Sequence, residues 1–189
     1  MNRLMVCLMV FAAVLGKALG ADINDHCTKE IDNFLKVPSK LHLAALQQSE
    51  HEACWETIGS SNEKLNALVA VVRKGNISAA KYLASNLKHL DGGNLEDALI
   101  SLGDYSVTRM ASFLDFARTG VITDRELADS LTMLSPSMSD EPKTQLKAMK
   151  ARHKAVSQVL QSNLSKYKVI ALAAIDAALD EIKRAPQSD

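Results

Sequence analysis

The sequence predicts an all-α protein: a disulfide-clamped helical bundle with a long C-terminal helix. Aromatic residues make up only 4% of the chain, whereas a packed sheet is usually rich in them. No stretch alternates apolar and polar residues over the length of a strand. Glycine, proline and capping residues divide the chain into segments of helical length. These three observations together favour helices throughout.

The first twenty residues predict a secretory signal peptide. Arg3 precedes a short apolar run, and Ala18 and Gly20 supply the small residues of a cleavage site. The run is shorter than the ~20 apolar residues that span a bilayer. We therefore expect residues 1–20 to be removed, which leaves a secreted, extracellular all-α domain of residues 21–189 with no membrane span.

A helical hairpin is predicted for residues 21–59. Pro38 separates a first helix, residues 25–36, from a second helix, residues 39–58. Gly59 ends the second helix because glycine is the usual residue just beyond a helix C-terminus. Two helices joined by so short a turn are expected to fold back on each other.

Two cysteines remain after the signal peptide is removed, and both lie in this hairpin. Cys27 and Cys54 are expected to form a disulfide because unpaired cysteines are uncommon in an oxidising compartment. With His26 and His51 they also make up a Cys2His2 zinc ligand set. Adjacent residues of a helix point ~100° apart, so His26 and Cys27 converge poorly on one ion. The disulfide is the prediction, and we expect no cofactor.

Between residues 60 and 135 the sequence predicts a series of short helices. Ser60 and Glu63 have the spacing of a capping box that opens the first of them. Glycine and polar residues then divide the segment. The five predicted helices end near Gly75, Leu90, Gly103, Gly120 and Leu134.

One long C-terminal helix is predicted within residues 139–185. Neither glycine nor proline occurs from residue 143 to residue 185, and a seam repeats at alternating steps of three and four. The seam consists of Leu146, Met149, His153, Val156, Leu160, Asn163, Tyr167, Ile170 and Ala174. It favours one long helix of a bundle or a coiled coil, and a homodimer through this helix is one of the partners considered. A break near "QSNLS", giving two antiparallel helices, is the alternative.

Residues 115–126 follow the spacing of a calcium-binding loop, and the run resembles that of an EF-hand. The matching residues are Asp115, Gly120, Thr123 and Glu126, at positions 1, 6, 9 and 12. Ala117 and Thr119 stand where the resemblance requires ligands at positions 3 and 5. A helix stop at Gly120 and a capping box from Thr123 to Glu126 explain the same residues. We expect a turn without metal, and Asp115, Thr123 and Glu126 are the candidate ligands otherwise.

Two sequons, at Asn76 and Asn163, are candidates for N-glycosylation. Asn76 follows a predicted helix end, where a glycan is easily accommodated. Asn163 lies on the predicted seam, where a glycan and burial exclude each other.

The sequence contains no motif of nucleophilic, phosphate-binding or dinucleotide-dependent catalysis. Lysine and arginine balance aspartate and glutamate at 22 each, and no basic stripe is evident, so we expect no nucleic-acid partner. The leading interpretation is a secreted, non-catalytic protein that acts through protein–protein interaction. A carrier of a lipid or other apolar small molecule between its helices is one alternative. An enzyme with an unrecognised site is the other.

Overall fold

A computed structural model describes residues 26–48, 51–139 and 141–184, with the side chains of residues 51–53 and 139 outside that description. These residues are predominantly helical and include no strand, which confirms the all-α prediction. The predicted signal peptide lies outside the described residues. The chain divides into two units, the first ending at Lys64 and the second beginning at Leu65. That residues 21–189 act as one domain stays a prediction.

The described residues of the first unit include three helices: α1 over residues 26–36, α2 at Lys40–Gln48 and α3 at His51–Gly59. As predicted, a disulfide joins Cys27 of α1 to Cys54 of α3, with the Cα atoms 4.9 Å apart. Both half-cystines are buried in a small core formed by Ile31, Phe34, Leu43, Leu46, Trp55 and Ile58. The bridge therefore lies inside this core.

The boundary between the units falls within α4, which runs Asn62–Arg73. The hydroxyl of Ser61 accepts a hydrogen bond from the Lys64 N–H at 3.4 Å, so Ser61 caps α4. The predicted box began one residue earlier, at Ser60. Ser60, Ser61 and Asn62 are all suitable caps by residue type. Ser61 acts as the cap because α4 begins at the next residue.

The second unit is a bundle built around a long central helix. Its further helices are α5 at Ile77–Ser85, α6 at Gly92–Arg118, α7 at Asp124–Thr132, α8 at Pro136–Ser139, α9 at Pro142–Ser157 and α10 at Ser165–Arg184. Helix α6 packs against α5, α7, α9 and α10, and α10 also packs against α7 and α9. Within the described ranges, no helix is both long enough and apolar enough to cross a membrane.

Helix α6 is continuous through Gly103, where the sequence predicted a break. Gly103 is buried, and a Cβ atom at this position would collide with the Ser130 carbonyl oxygen and lie 2.6 Å from an Arg152 Nη atom. The glycine therefore allows α7 and α9 to approach α6 closely. The irregularity in α6 lies instead at Arg109, whose φ of −133° and ψ of 34° are not helical.

The predicted long C-terminal helix is present as the 20-residue α10. It does not extend over residues 139–185, and the alternative break is present. Helix α9 ends at Ser157, a 3₁₀ turn covers Ser162–Leu164, and α10 follows. Leu160, a predicted seam residue, is 90% exposed in the connection. After Leu160, the buried residues differ from the predicted seam residues. They are Leu164, Ala171, Ile175 and Leu179. The homodimer prediction thereby loses the continuous seam on which it depended.

Lys168 of α10 stabilises this break. Its ammonium group donates hydrogen bonds to the carbonyl oxygens of Ser157 and Val159, each at 2.9 Å. The last carbonyls of a helix have no partner within the helix, and a cation satisfies them well. Contacts of residue 168 with 157 and of Asp176 with His153 show that α9 and α10 run antiparallel.

Candidate functional site

An arginine buried in the bundle organises the C-terminal end of α7. The Arg152 side chain is only 2% exposed, and its guanidinium donates to the carbonyl oxygens of Leu131 at 2.9 Å and Met133 at 2.8 Å. Asp104 of α6 lies 3.6 Å away and forms an ion pair with it. The planar, multi-donor guanidinium suits several acceptors at once, so one side chain joins α6, α7 and α9.

Burial lowers the pKa of the Arg152 guanidinium from its ordinary value, and the Asp104 carboxylate opposes this shift. The group stays protonated in proteins regardless, because its ordinary pKa is far above neutrality. Asp104 also lies 3.4 Å from Arg73 of α4, at the surface. Its single carboxylate therefore pairs with one buried and one exposed cation.

A groove lies next to the end of α7 that Arg152 holds. It has a volume of about 470 Å³ and is open to solvent. Its lining residues are Asp129, Thr132, Met133, Leu134, Gln145, Met149, Ala178, Glu181 and Ile182, from α7, the segment after it, α9 and α10. Met149 is buried and forms part of the floor. Because Arg152 binds the Met133 carbonyl, it also positions one wall of this groove.

The groove combines apolar and acidic side chains. Met133, Leu134, Met149 and Ile182 are its large apolar residues, and methionine adapts easily to different partners. Asp129 and Glu181 contribute two carboxylates. Asp129 lies 3.5 Å from Arg125, but that arginine is 90% exposed and the pair is correspondingly weak. The groove thus suits an apolar group with a neighbouring positive charge.

The loop that resembles an EF-hand is a helix–turn–helix connection. Gly120 has a φ of 72°, and the Thr123 and Glu126 side chains form the predicted capping box, which is confirmed. The Glu126 carboxylate accepts from the Thr123 N–H at 2.7 Å, and Asp115 pairs with Arg118 at 2.6 Å. The three candidate ligands are therefore engaged in local contacts. No cluster of three or more His, Cys, Asp or Glu side chains suited to a metal occurs in the described residues.

The zinc alternative at the N-terminal hairpin conflicts with the disulfide. Cys27 and Cys54 are bonded to each other, and a disulfide sulfur is not a thiolate ligand. His26 lies exposed on α1, and the His51 side chain lies outside the described residues.

The two sequons differ in their surroundings. The Asn76 side-chain oxygen accepts from the Ala79 N–H at 2.9 Å and caps α5. Asn163 is exposed in the 3₁₀ turn before α10, because the broken helix takes it off the predicted seam. A glycan on Asn163 is therefore compatible with the packing, and its use stays a prediction.

One group of side chains has the residue types of a serine–histidine–aspartate catalytic triad but not its geometry. It consists of Ser157, His153 and Asp176. His153 Nε2 lies 3.4 Å from an Asp176 oxygen, and Ser157 Oγ lies 3.5 Å from His153 Nδ1. The serine hydroxyl donates instead to the His153 carbonyl oxygen at 2.9 Å. With that bond formed, the hydroxyl does not donate to the imidazole, whereas an activated nucleophile requires a hydrogen bond from the hydroxyl to its base. We interpret these residues as a link between α9 and α10.

Sequence reasoning missed both Arg152 and the groove. The buried residues of α9 follow one another at steps of three and four: Met149, Arg152 and Val156. A charged residue on this otherwise apolar face could have indicated from the sequence that Arg152 is buried. The groove had no such signal, because its residues come from separate segments. No protein-family model, curated protein or solved structure matches this chain.

Proposed function

We propose that this chain is a secreted, non-catalytic helical protein that binds another protein, and that the groove between α7, α9 and α10 receives a segment of that partner. The observation that carries this proposal is the chemistry of the groove. Apolar side chains in a concave surface favour binding when a partner covers them. Two carboxylates beside them add orientation and select a partner of positive charge.

The occupant we propose is an amphipathic peptide segment. Its large apolar side chains enter the groove over Met149, and a lysine or arginine beside them pairs with Asp129 or Glu181. The volume of about 470 Å³ lies within the ~300–1,000 Å³ typical of binding pockets. Arg125 is highly exposed, so a partner's basic residue can displace it from Asp129 at little cost.

Two features support secretion. The sequence of residues 1–20 predicts a signal peptide, and Cys27 and Cys54 form a disulfide. Disulfides persist in oxidising compartments and are rare in the cytosol. A binding protein of the extracellular space agrees with both.

A peptide-display library tests the groove directly. The library is selected on the purified chain, and the recovered peptides are measured on Ala178→Trp, which fills the groove, and on Glu181→Lys, which reverses one charge. Glu96→Lys on α6 is the matched control, because Glu96 is exposed and does not line the groove. Circular dichroism confirms that each variant is folded.

We expect the selected peptides to combine large apolar residues with lysine or arginine. Their affinity should fall by at least about tenfold on Ala178→Trp, which is ~1.4 kcal/mol of binding free energy. Glu181→Lys should also lower the affinity of these peptides, whereas Glu96→Lys should leave their affinity unchanged. Peptides that bind all variants equally, or that are acidic, would refute the proposal.

A carrier of an apolar small molecule is the second candidate, and the methionine-containing floor of the same groove favours it. Native and denaturing mass spectrometry of the secreted protein separates the two functions. A discrete adduct that is lost on denaturation and extracted by organic solvent would favour the carrier over the peptide-binding protein. A bare chain would favour the peptide-binding protein.

A further inference from the structure

Four lysines form a row along the solvent-facing side of α9. They are Lys143, Lys147, Lys150 and Lys154, and all four are exposed. Their spacing of four, three and four residues places them on one face of a helix. At 1.5 Å per residue the row is about 16 Å long. We call it the lysine row.

The lysine row is not neutralised. Helix α9 contains no aspartate or glutamate, and none of the four lysines forms an ion pair within the described part of the chain. On the neighbouring α10, Asp176 contacts His153 and Asp180 contacts Lys183. Like charges three and four residues apart destabilise a helix, so the row gains stability when an anion covers it.

This arrangement corrects the expectation that the chain has no basic stripe. The lysines are separated in sequence by alanine, methionine and other residues, and the net charge of the whole chain is zero. Only the helix brings them to one side. The spacing K-x-x-x-K-x-x-K-x-x-x-K was the signal in the sequence.

We propose that the lysine row binds a linear sulfated polysaccharide. A single straight row of flexible point charges suits a linear polyanion whose sulfates are irregularly spaced. Besides the lysines, the exposed residues of α9 are Pro142, Ala151 and Ser157. This face offers no aromatic side chain for stacking on nucleic-acid bases and no large apolar side chain for insertion into a bilayer.

The choice of a polysaccharide over duplex nucleic acid rests on the predicted export of the chain, because sulfated polysaccharides are extracellular polyanions. The proposal goes beyond the peptide groove and does not depend on it. Gln145 and Met149 of α9 line the groove, and they lie on the opposite side of the helix from the lysine row.

The test is the salt dependence of binding to heparin. The purified chain, with its disulfide intact, is compared with Lys147→Gln/Lys150→Gln and with Lys147→Arg/Lys150→Arg. Lys81→Gln/Lys88→Gln is the control, because both lysines are exposed elsewhere and the change in net charge is the same. We expect Lys147→Gln/Lys150→Gln to elute from a heparin column at lower salt than the unaltered chain. The arginine variant and the control should elute at the same salt as the unaltered chain. The slope of log Kd against log salt should fall by about one per lysine removed, the value for phosphate contacts on nucleic acids.

Equal loss in the control variant would overturn the proposal, because net charge rather than the row would then govern retention. Equal binding to heparin from which the sulfates have been removed would overturn the requirement for sulfate. Tighter binding to duplex DNA or to vesicles of anionic lipid, at the same salt, would overturn the class of ligand. Unchanged binding of a groove-selected peptide to Lys147→Gln/Lys150→Gln would separate this proposal from the groove.

Discussion

Gly103 lies directly against the guanidinium of Arg152: a Cβ atom on this glycine would stand 2.6 Å from an Arg152 Nη atom. The contact joins the middle of α6 to α9, and the Ser130 carbonyl oxygen of α7 lies still closer to the position of that Cβ atom. Burying a guanidinium group costs free energy unless its N–H donors find hydrogen-bond acceptors inside the protein. The glycine provides the space in which Arg152 reaches the α7 carbonyls.

Gly103→Ala should destabilise the protein by roughly 1–3 kcal/mol, the usual cost of overpacking a core. The added methyl group would displace Arg152 or push α7 away from α6. Urea unfolding followed by circular dichroism measures the difference. Gly93→Ala is the control, since a Cβ atom there has no neighbour within 4 Å. Equal unfolding midpoints for the two variants would contradict the role of Gly103.

Arg152→Met should cost about 2–4 kcal/mol, because the Leu131 and Met133 carbonyls would lose their donor inside the bundle. Arg152→Lys should cost less, since it keeps the charge but not the planar set of donors. Arg125→Met, at a side chain that is 90% exposed, should change the free energy of unfolding by less than about 0.5 kcal/mol. Thermal unfolding of the three variants tests this order. An Arg152→Met protein as stable as Arg125→Met would contradict it.

Two buried tyrosines should make the protein sensitive to alkali. Burial raises the pKa of Tyr82 and of Tyr105 above the ordinary tyrosine value; for Tyr105, Ser112 and Arg109 act in the opposite direction. A folded pKa above the unfolded one gives stability that is complete below about pH 10 and is lost as pH rises further. Tyrosinate absorbance and circular dichroism, recorded together, should show these tyrosines ionising only as helix is lost. Their ionisation near pH 10 in a fully helical protein would contradict the prediction.

Loss of the Cys27–Cys54 disulfide should destabilise the protein by roughly 3.5 kcal/mol, the entropic estimate for a loop of 27 residues. Cys27→Ala/Cys54→Ala and reduction of the unaltered protein should have similar effects in urea unfolding. Reductant should leave the double variant unchanged, which controls for other effects of the reagent. Unfolding of the oxidised and reduced proteins at the same urea concentration would refute the stabilising role.

Leu160→Glu should change the free energy of unfolding by less than about 0.5 kcal/mol, because Leu160 is 90% exposed between α9 and α10. Val156→Glu, one turn earlier, places a carboxylate in the core and should cost several kcal/mol, on the order expected for an unpaired buried charge. Both positions would be buried in one continuous coiled-coil helix. A large cost for Leu160→Glu would therefore restore the single-helix interpretation.

Several features of this protein were predicted by the sequence alone. The all-α class, the turns at Gly75 and Gly120, the capping box from Thr123 to Glu126 and the pairing of Cys27 with Cys54 follow from local rules. Each depends on a few neighbouring residues or on a simple count. Such features form in much the same way wherever the rest of the chain packs.

Only the tertiary structure decided the roles of Gly103, Arg152 and Leu160. A glycine can end a helix, or it can lie within a helix and let a neighbouring segment approach closely. Gly103 does the second, because α7 and α9 pack directly against it. The seam of residues 146–174 continues without a break in sequence, yet α10 folds back because Lys168 satisfies the end of α9 and Ile175 becomes buried. The groove joins residues more than fifty positions apart. Local periodicity cannot choose between alternatives whose free energies differ only through contacts with distant segments.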